Sequence, residues 1–336
     1  MKKETKKILV IIGVMGWLGF LFQSIDLAMA KDPDYPTKPI TFYINFAGGS
    51  TDISCRALLE ATSKYLGQPL IPVIKTGGAG TVGAMAVMSA KPDGYTLGVC
   101  QSGTLTILPH TEECPYKDLS GFTLIANFGK QIYPLTVRSD APWNTWKEFI
   151  EWARKNPRAA KIGTSGARST QTPSMAMWVA EQREKAEFTF VVFKGGGEVL
   201  MALLGGHITM NTQLLDISTA EYINQGKLRI LAFLRKEDKM PGYESLPSIQ
   251  ELYGFDSPAF LGVWGPKGLP EYVVKKLDDA FTKAVEDPRF VEVMNRMYMP
   301  IVYMDRAKME KEVNEMFPKM GEIVKILRAE EAKVKK

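Results

Sequence analysis

The chain has 336 residues, of which 45% are hydrophobic and 24% charged, and its formal net charge is +5. This composition is typical of a globular protein and excludes a disordered or wholly membrane-embedded chain. The length favours two domains over one. The net charge is small for this length and no lysine- or arginine-rich stripe runs through the interior of the sequence, which argues against nucleic-acid binding.

The first thirty residues have the pattern of a secretory signal. Four lysines precede an apolar run from Ile8 to Phe22, and a short polar region then leads to Ala28-Met29-Ala30. We predict cleavage after Ala30 and export to the periplasm. An uncleaved membrane anchor is the alternative, but the apolar run is shorter than the roughly 20 residues that span a bilayer.

Export would place Cys55, Cys100 and Cys114 in an oxidising compartment. Because three is an odd number, at most one intramolecular disulfide forms, and Cys100 and Cys114 are the nearer pair. The alternative is that all three are small, buried apolar residues.

Strands alternate with helices along the first part of the chain. In order, the patterns indicate a strand at "ITFYINF", a helix capped by Ser50 or Thr51 and ended by Gly67, a strand at "QPLIPVIK", a glycine loop entering a helix at "GGAGTVGAMAVMSA", and a strand at "TLGVCQ". This alternation predicts parallel pairing in a doubly wound α/β sheet.

The same order returns later in the chain. The patterns indicate crossover strands at "FTLIANF" and "YPLTVR", an amphipathic helix at "TWKEFIEWARKN", strand–glycine turn–helix units at "IGTSGARST" and "VVFKGGGEVL", strands at "KLRILAFL" and "AFLGVWGP", and a last helix from near Asp305 with a kink at Pro318.

Strand–glycine turn–helix units therefore occur twice before Gln101 and twice after Lys161. Ligands of open α/β sheets bind where such loops converge, so two domains that each present two loops predict a cleft that closes by a hinge. We expect one lobe to comprise residues 31–128 and 236–336 and the other residues 129–235, with the hinge near Phe128 and Arg235.

Loops of this kind bind anions through backbone N–H groups at the start of a helix. None of the four has the P-loop pattern, and Gly78 to Gly83 matches G-x-G-x-x-G without an acidic residue at the end of the next strand, so a nucleotide site is disfavoured. A carboxylate needs only a few N–H groups and hydroxyls. Hydroxyls near the predicted helix starts come from Ser50, Thr51, Thr81, Ser102, Thr164, Ser165, Ser169 and Thr170. Each of them alone is better explained as an N-cap, and it is the four loops together that favour a ligand.

Two charged residues stand inside these loops. Asp52 lies in a predicted first helical turn, where it complements the helix dipole, organises the loop or pairs with a ligand ammonium or hydroxyl, with Arg56 as its i,i+4 partner. Arg168 lies in "TSGARST" and is either a clamp for a carboxylate or a solvated loop residue.

Catalysis has little support in the sequence. His110 and His207 are the only histidines, no H-E-x-x-H, C-x-x-C or G-x-S-x-G spacing occurs, and neither histidine has an evident reason to lie beside Cys55. We therefore expect a binding protein without cofactor or metal, and not an enzyme.

The mature chain resembles one family over its whole length. "YPTKPITFYINFAGGSTDISCRALLEA" and "TGGAGTVGAMAVMSAKPDGYTL", followed by "IGTSGARST", "VVFKGGGEVLMALLGGHI", "GKLRILAF", "LPSIQELYG" and "GPKGLP", are similar to the substrate-binding proteins of tripartite tricarboxylate transporters, or Bug proteins. The resemblance implies a two-lobed "Venus flytrap" periplasmic binding protein of type II-like fold, with two doubly wound sheets joined by crossover strands. It also implies a carboxylate ligand, one large and one small integral membrane subunit as partners, and a monomer.

In that family the glycine loops hold the ligand carboxylate with backbone amides, hydroxyls and waters. Carried over, the implied ligand-binding residues are Phe46, Ala47, Gly48, Gly49, Ser50, Thr51, Asp52, Gly78, Ala79, Gly80, Thr81 and Ser102 on one lobe, and Thr164, Ser165, Gly166, Arg168, Ser169, Lys194, Gly195, Gly196 and Gly197 on the other.

This sequence departs from the family at three places. Ile74-Lys75-Thr76 replaces Asn-Arg-Pro before the second loop, and the usual histidine after the T-S-G loop is replaced near Gln171. Asn211-Thr212-Gln213 lacks the aspartate common there, which argues against an amino-acid ligand. Arg168 is uncommon at its position and suggests a second anionic group on the ligand, as in a diacid.

We expect the ligand to be a di- or tricarboxylate or an aromatic acid, delivered to a transporter. Two alternatives stay open on the sequence: a sensor that presents the ligand to a receptor or histidine kinase, and a periplasmic enzyme on the same fold.

Overall fold

The computed structural model describes residues 34–111, 113–165, 172–257 and 259–334. The predicted signal at 1–30 lies outside these ranges. The chain divides into a unit of residues 1–37, whose described residues 34–37 contain no helix or strand, and a unit of residues 38–336, which holds every element described below.

Eleven strands and ten helices build the larger unit in its described ranges, beside short 3-10 and π turns. The strands are β1 Ile40–Ile44, β2 Leu70–Ile74, β3 Thr96–Gln101, β4 Phe122–Lys130, β5 Pro134–Arg138, β6 Ala160–Thr164, β7 Phe188–Val192, β8 Met210–Asn211, β9 Leu228–Phe233, β10 Phe260–Pro266 and β11 Met304–Asp305. The helices are α1 Ser50–Leu66, α2 Thr81–Met88, α3 Trp146–Lys155, α4 Thr172–Glu184, α5 Gly196–Leu204, α6 Ile217–Asn224, α7 Ile249–Tyr253, α8 Glu271–Ala284, α9 Pro288–Arg296 and α10 Arg306–Val334.

These strands form two sheets. One has six strands in the order β11-β4-β10-β3-β1-β2, and the other has five in the order β7-β6-β8-β5-β9. The chain passes from the first sheet to the second between β4 and β5, and returns between β9 and β10. The predicted α/β class with two sheets joined by crossover strands is confirmed.

Neither sheet is purely parallel, although the helix–strand alternation predicts parallel pairing. β1 pairs in parallel with β2 and β3, but β10 lies antiparallel between β3 and β4. In the second sheet β5 runs antiparallel to both of its neighbours. The reason is that strands entering from the other sheet arrive from the opposite end, which local sequence patterns do not encode.

Aromatic residues fill the two cores. Phe122 stacks on Trp264 at 4.1 Å between ring centroids in the six-stranded sheet. Trp143 packs edge-on to Phe149 at 5.5 Å in the five-stranded sheet. All three cysteines are free and buried, so the alternative of small buried residues holds.

The long helix α10 joins the two cores. Met309 packs into the core of the six-stranded sheet, whereas Val324 and Leu327 pack into that of the five-stranded sheet. Pro318 lies within the helix, between these two contact regions, and the kink expected there stays a prediction. In the described ranges, every helix is too short or too polar to span a bilayer.

An ion cluster lies where the chain crosses between the sheets. The fully buried carboxylate of Asp238 accepts from Arg235 Nη2 at 3.0 Å, and Lys130 Nζ lies 3.5 Å from the same oxygen. Lys130 is the last residue of β4, where the first crossing segment begins, and Arg235 follows β9, where the second begins, so the cluster ties the two crossing segments together. Burial lowers the pKa of Lys130, while Asp238 opposes that change.

Candidate functional site

A cavity of about 750 Å³ lies where the loops of the two sheets converge. The predicted site residues that line it are Phe46, Ala47, Gly49, Ser50, Thr51, Ala79, Gly80, Ser102, Ser165, Lys194, Gly195, Gly196 and Gly197. Gly48, Asp52, Gly78, Thr81 and Thr164 are not part of this lining. Gly166, Arg168 and Ser169 lie outside the described residues. The carboxylate clamp at Arg168 therefore stays a prediction.

Three helices begin at this cavity with a glycine as their N-cap. Gly49 precedes α1, Gly80 precedes α2 and Gly195 precedes α5, and none of these three positions has a side-chain cap. The first N–H groups of α1 and α5 have no acceptor within their helices, whereas at α2 the N–H groups of Thr81 and Val82 already donate to the carbonyls of Gly78 and Gly77. The cavity therefore receives free amides from α1 and α5 and the positive ends of three helix dipoles.

The sequence reading that Ser50 or Thr51 caps α1 was wrong. Both hydroxyl residues lie inside the first turn of α1, one and two places after Gly49. Side-chain caps occur at other helices, since Thr145 caps α3 and Ser248 caps α7 through their hydroxyls, whereas α8 begins after Pro270 without one.

Asp52 organises the loop at residues 45–52, which we call the first loop. Its carboxylate accepts from the backbone N–H of Gly48 at 2.9 Å and from Arg56 Nε at 2.7 Å. Asp52 is 8% exposed, and these two donors occupy both of its oxygens. The acid thus holds the glycine turn in place from behind.

The turn at residues 77–80 brings the start of α2 close to the first loop. Gly80 has φ +100°, and a Cβ there would lie 3.0 Å from the Thr104 side chain and 3.2 Å from the Phe46 ring. Ala79 beside it is left-handed, with φ 54°, a conformation that costs a non-glycine residue about 1 kcal/mol. Only glycine fits at position 80 without displacing a residue of the cavity wall.

The loop at residues 193–198, which we call the second loop, is more exposed. Its backbone N–H at Lys194 donates to Glu198 Oε2 at 3.1 Å, the same four-residue spacing as Gly48 and Asp52. Lys194 is exposed, and among the described residues it is the one lysine or arginine that lines the cavity.

Asp216 is the one carboxylate among the described lining residues, and the sequence reasoning missed it. It accepts from Thr219 N at 2.7 Å as the N-cap of α6. Asn211-Thr212-Gln213 lacks an aspartate, and the acid at this wall stands three residues beyond Gln213.

Three glutamines also line the cavity unpredicted, and a hydroxyl group fixes the side chain of each. Gln101 Nε2 donates to Thr51 Oγ1 at 2.6 Å, Gln131 Oε1 accepts from the Tyr133 hydroxyl at 2.9 Å, and Gln213 Oε1 accepts from Ser165 Oγ at 2.6 Å. Burial raises the pKa of Tyr133, so its hydroxyl stays a donor. Glutamine carries no positional signature in sequence, and each partner but Tyr133 is distant along the chain.

The hydroxyls of two residues predicted to bind the ligand instead make hydrogen bonds within the protein. Ser102 Oγ accepts from the Phe260 backbone N–H at 2.6 Å, which ties β10 to the end of β3. Thr164 bonds Ser174 at 2.6 Å and is completely buried. Thr164 therefore belongs to the packing beneath the cavity.

The geometry offers no nucleophile or metal centre in the described ranges. Burial raises the pKa of Cys55 well above its ordinary value, and the Asp52 carboxylate raises it further. The thiol therefore stays protonated despite its place near the start of α1. No cluster of three or more metal-ligating side chains occurs among the described residues.

Comparisons with known proteins agree with this geometry. The model of a family described as "Tripartite tricarboxylate transporter family receptor" matches residues 54–328. A UPF0065 protein from the gbd 5' region of Cupriavidus necator is 34% identical over 281 residues, which is 83% of this chain and 84% of that protein.

Solved structures share the fold. A TctC solute-binding protein from Polaromonas, crystallised without ligand, is 29% identical, with a TM-score of 0.73 over 87% of this chain and 99% of that chain. The periplasmic binding protein BugD is 26% identical, with a TM-score of 0.71 over 87% of this chain and 98% of that chain. The predicted periplasmic-binding-protein fold is confirmed.

Proposed function

The chain belongs to the tripartite tricarboxylate transporter receptor family, and on that premise we propose that it captures an organic carboxylate in the periplasm and delivers it to a membrane transporter. The family and its structural relatives are solute-binding proteins, so the protein is a binding protein and not an enzyme.

The observation that carries the carboxylate assignment is the set of three glycine N-caps at one cavity. Uncapped helix starts attract an anion, because their N–H groups point at it and their dipoles favour negative charge. A carboxylate suits amides and hydroxyls, whereas a phosphate-binding loop would bring a lysine after its glycines. Lys194 adds one positive charge from the second loop.

We further propose that the two sheets with their helices act as lobes, divided near Phe128 and Arg235. A ligand that contacts both loops favours the closed arrangement only by its higher affinity for that arrangement. The crossing segments with their Asp238 ion cluster would serve as the hinge, and the flexing of α10 would be concentrated at Pro318.

Periplasmic export and the transporter partner are part of the same proposal. The N-terminal signal pattern supports export, and the family description supports one large and one small integral membrane subunit as partners. A binding protein that passes its ligand to such subunits needs no catalytic group, and we propose that it works as a monomer without a cofactor.

Calorimetry of the purified protein against a panel of organic acids tests this function. The panel contains di- and tricarboxylates, aromatic acids, amino acids and sugars. Malate and adipate belong in it because each was found in a solved Rhodopseudomonas palustris protein of this fold. We expect micromolar or tighter binding of at least one carboxylate, and no binding of its methyl ester.

Two controls make the result specific. Gly196→Pro would remove one free N–H group at the first position of α5, where proline fits a helix, and should weaken the carboxylate, whereas Glu271→Pro, at the exposed first position of α8 outside the cavity, should not. Binding of a sugar or a metal ion with no binding of any carboxylate would contradict the proposal.

A further inference from the structure

Gln101, Gln131 and Gln213, which we call the glutamine trio, face one cavity with one end of each amide already occupied. Gln131 is the most constrained of them, since it is 7% exposed and lies in the crossing segment between β4 and β5. Its Nε2 has no hydrogen-bond partner among the described residues, although its Oε1 is held by Tyr133. Because Gln131 lines the cavity, this donor is available to a ligand there.

The hydroxyl partners determine what each amide has left to offer. Thr51 takes an N–H of Gln101, which leaves the carbonyl oxygen as an acceptor. Tyr133 and Ser165 take the carbonyl oxygens of Gln131 and Gln213, which leaves two NH₂ groups as donors. The trio therefore presents one acceptor and two donors.

This set matches the hydrogen-bonding capacity of a hydroxyl group, which donates once and accepts twice. A second carboxylate only accepts and would leave the Gln101 oxygen unpaired. An ammonium group only donates and would leave both NH₂ groups unpaired. An unsubstituted aliphatic or aromatic chain would use none of the three.

From this match we infer that the glutamine trio determines specificity for a carboxylate that carries a hydroxyl group on its chain. The inference rests on the proposed function and narrows its ligand class to hydroxy acids. The uncapped helix starts hold the carboxylate, while the trio distinguishes the hydroxylated acid from its deoxy analogue. A site built to bond a hydroxyl rejects the analogue without it, since its polar groups are then left unpaired.

Matched ligand pairs test the inference by calorimetry. Malate is compared with succinate and citrate with tricarballylate, since the members of each pair differ by one hydroxyl. We expect the hydroxylated member of at least one pair to bind about tenfold more tightly or better. Equal affinity within both pairs, with carboxylates still bound, overturns the inference and leaves the proposed function standing. Failure of every carboxylate overturns both.

Methionine variants then assign the preference to the trio, because methionine keeps the length of glutamine without its polar ends. Gln131→Met should reduce the hydroxyl preference about threefold or more, with smaller reductions for Gln101→Met and Gln213→Met. Gln225→Met, at an exposed glutamine outside the cavity, should leave it unchanged. An unaltered preference in all three cavity variants overturns the inference.

Tyr133→Phe provides an independent test if the melting temperature shows that Gln131→Met fails to fold. The tyrosine hydroxyl fixes the Gln131 amide, so its removal frees the amide to rotate and should lower the hydroxyl preference while the affinity for the deoxy acid changes little. Loss of both affinities to the same extent overturns the inference.

Discussion

The first and second loops are built on the same plan and differ in what they present. In each, a strand runs into glycines and then a helix, and an acid four residues along accepts from the loop backbone, Asp52 from Gly48 and Glu198 from Lys194. The first loop is tied at several points, since Asp52 also binds Arg56, and Thr51 is bound by Gln101. Glu198 is exposed and has only the one contact among the described residues.

This difference indicates that the two loops contribute to ligand binding in different ways. The first loop presents neutral amides in a fixed arrangement, so a ligand loses little affinity to ordering it. The second loop brings the exposed charge of Lys194, which adds long-range attraction and fewer fixed contacts. We therefore expect the contribution of the first loop to ligand affinity to come mainly from its fixed N–H groups, and that of the second loop mainly from the charge of Lys194.

The largest difference in stability and in carboxylate affinity is expected between Asp52→Ala and Glu198→Ala. Removing the buried Asp52 carboxylate leaves its two donors unpaired, and charged hydrogen bonds contribute roughly 1.5–3 kcal/mol. We expect Asp52→Ala to lower the free energy of unfolding by about 2 kcal/mol and the carboxylate affinity by tenfold or more.

Glu198→Ala is the matched control in the second loop. An exposed contact of this kind should change the unfolding free energy by no more than about 0.5 kcal/mol and the affinity two- to threefold. Urea denaturation and calorimetry measure both. Equal losses of stability and affinity in the two variants would contradict the different contributions of the two loops.

Lys194→Met addresses the charge of the second loop. Loss of this cation should weaken carboxylate binding by about three- to tenfold and flatten the dependence of affinity on salt, because exposed charges are screened at high ionic strength. Lys161→Met removes an exposed lysine outside the cavity and is the control. A salt dependence as steep in Lys194→Met as in the unaltered protein would refute the role of this cation.

The attachment of the C-terminal end of α1 to the start of α9 is expected to depend on pH in the acid range. Lys64 near the end of α1 donates to Asp287 Oδ2 at 2.7 Å, and Asp287 also caps α9. The hydrogen bond from Lys64 holds the pKa of Asp287 below its ordinary value. The stabilisation is therefore fully present above the unfolded pKa of about 3.9 and is lost as the pH falls through the lowered folded value.

Asp287→Ala should accordingly cost about 1 kcal/mol at neutral pH, the usual cost of a lost N-cap. Urea denaturation at pH 6 and at pH 2.5 should show this difference at the higher pH and a reduced one at the lower. Asp279→Ala, in an exposed pair with Lys275, is the control and should have little effect at either pH. A pH-independent cost for Asp287→Ala would disprove the role of the carboxylate charge.

The last prediction concerns the reactivity of the Cys55 thiol, which is buried in α1 close to the first loop. Because its burial raises the pKa, we expect no reaction of the native protein with a thiol reagent at pH 8 and three reactive thiols per chain in denaturant. Rapid native labelling of Cys55 would mean that the first loop opens readily, in conflict with a fixed arrangement.

The sequence predicted the elements of the site better than its chemistry. The glycine turn before Asp52 and the alternation of strand and helix are local patterns, and the structure reproduces them. The antiparallel insertion of β10 between β3 and β4 is a long-range pairing that no local pattern encodes.

The glutamine trio and the missing caps illustrate a second limit of prediction from sequence. Gln101 acquires its role from Thr51, fifty places away, and Gln213 from Ser165. Ser50 is a good N-cap residue by type, yet it is the first residue of the helix, and Gly49 before it is the N-cap. Which of two neighbours caps a helix depends on backbone angles that composition does not determine.

A crystal structure with the tightest-binding acid of the panel tests the proposed site most directly. We predict that a ligand carboxylate lies about 2.7–3.2 Å from backbone N–H groups of the first loop and of the turn at 77–80, with Lys194 on the opposite side. A carboxylate held only by side-chain cations, or a ligand bound outside this cavity, would contradict it.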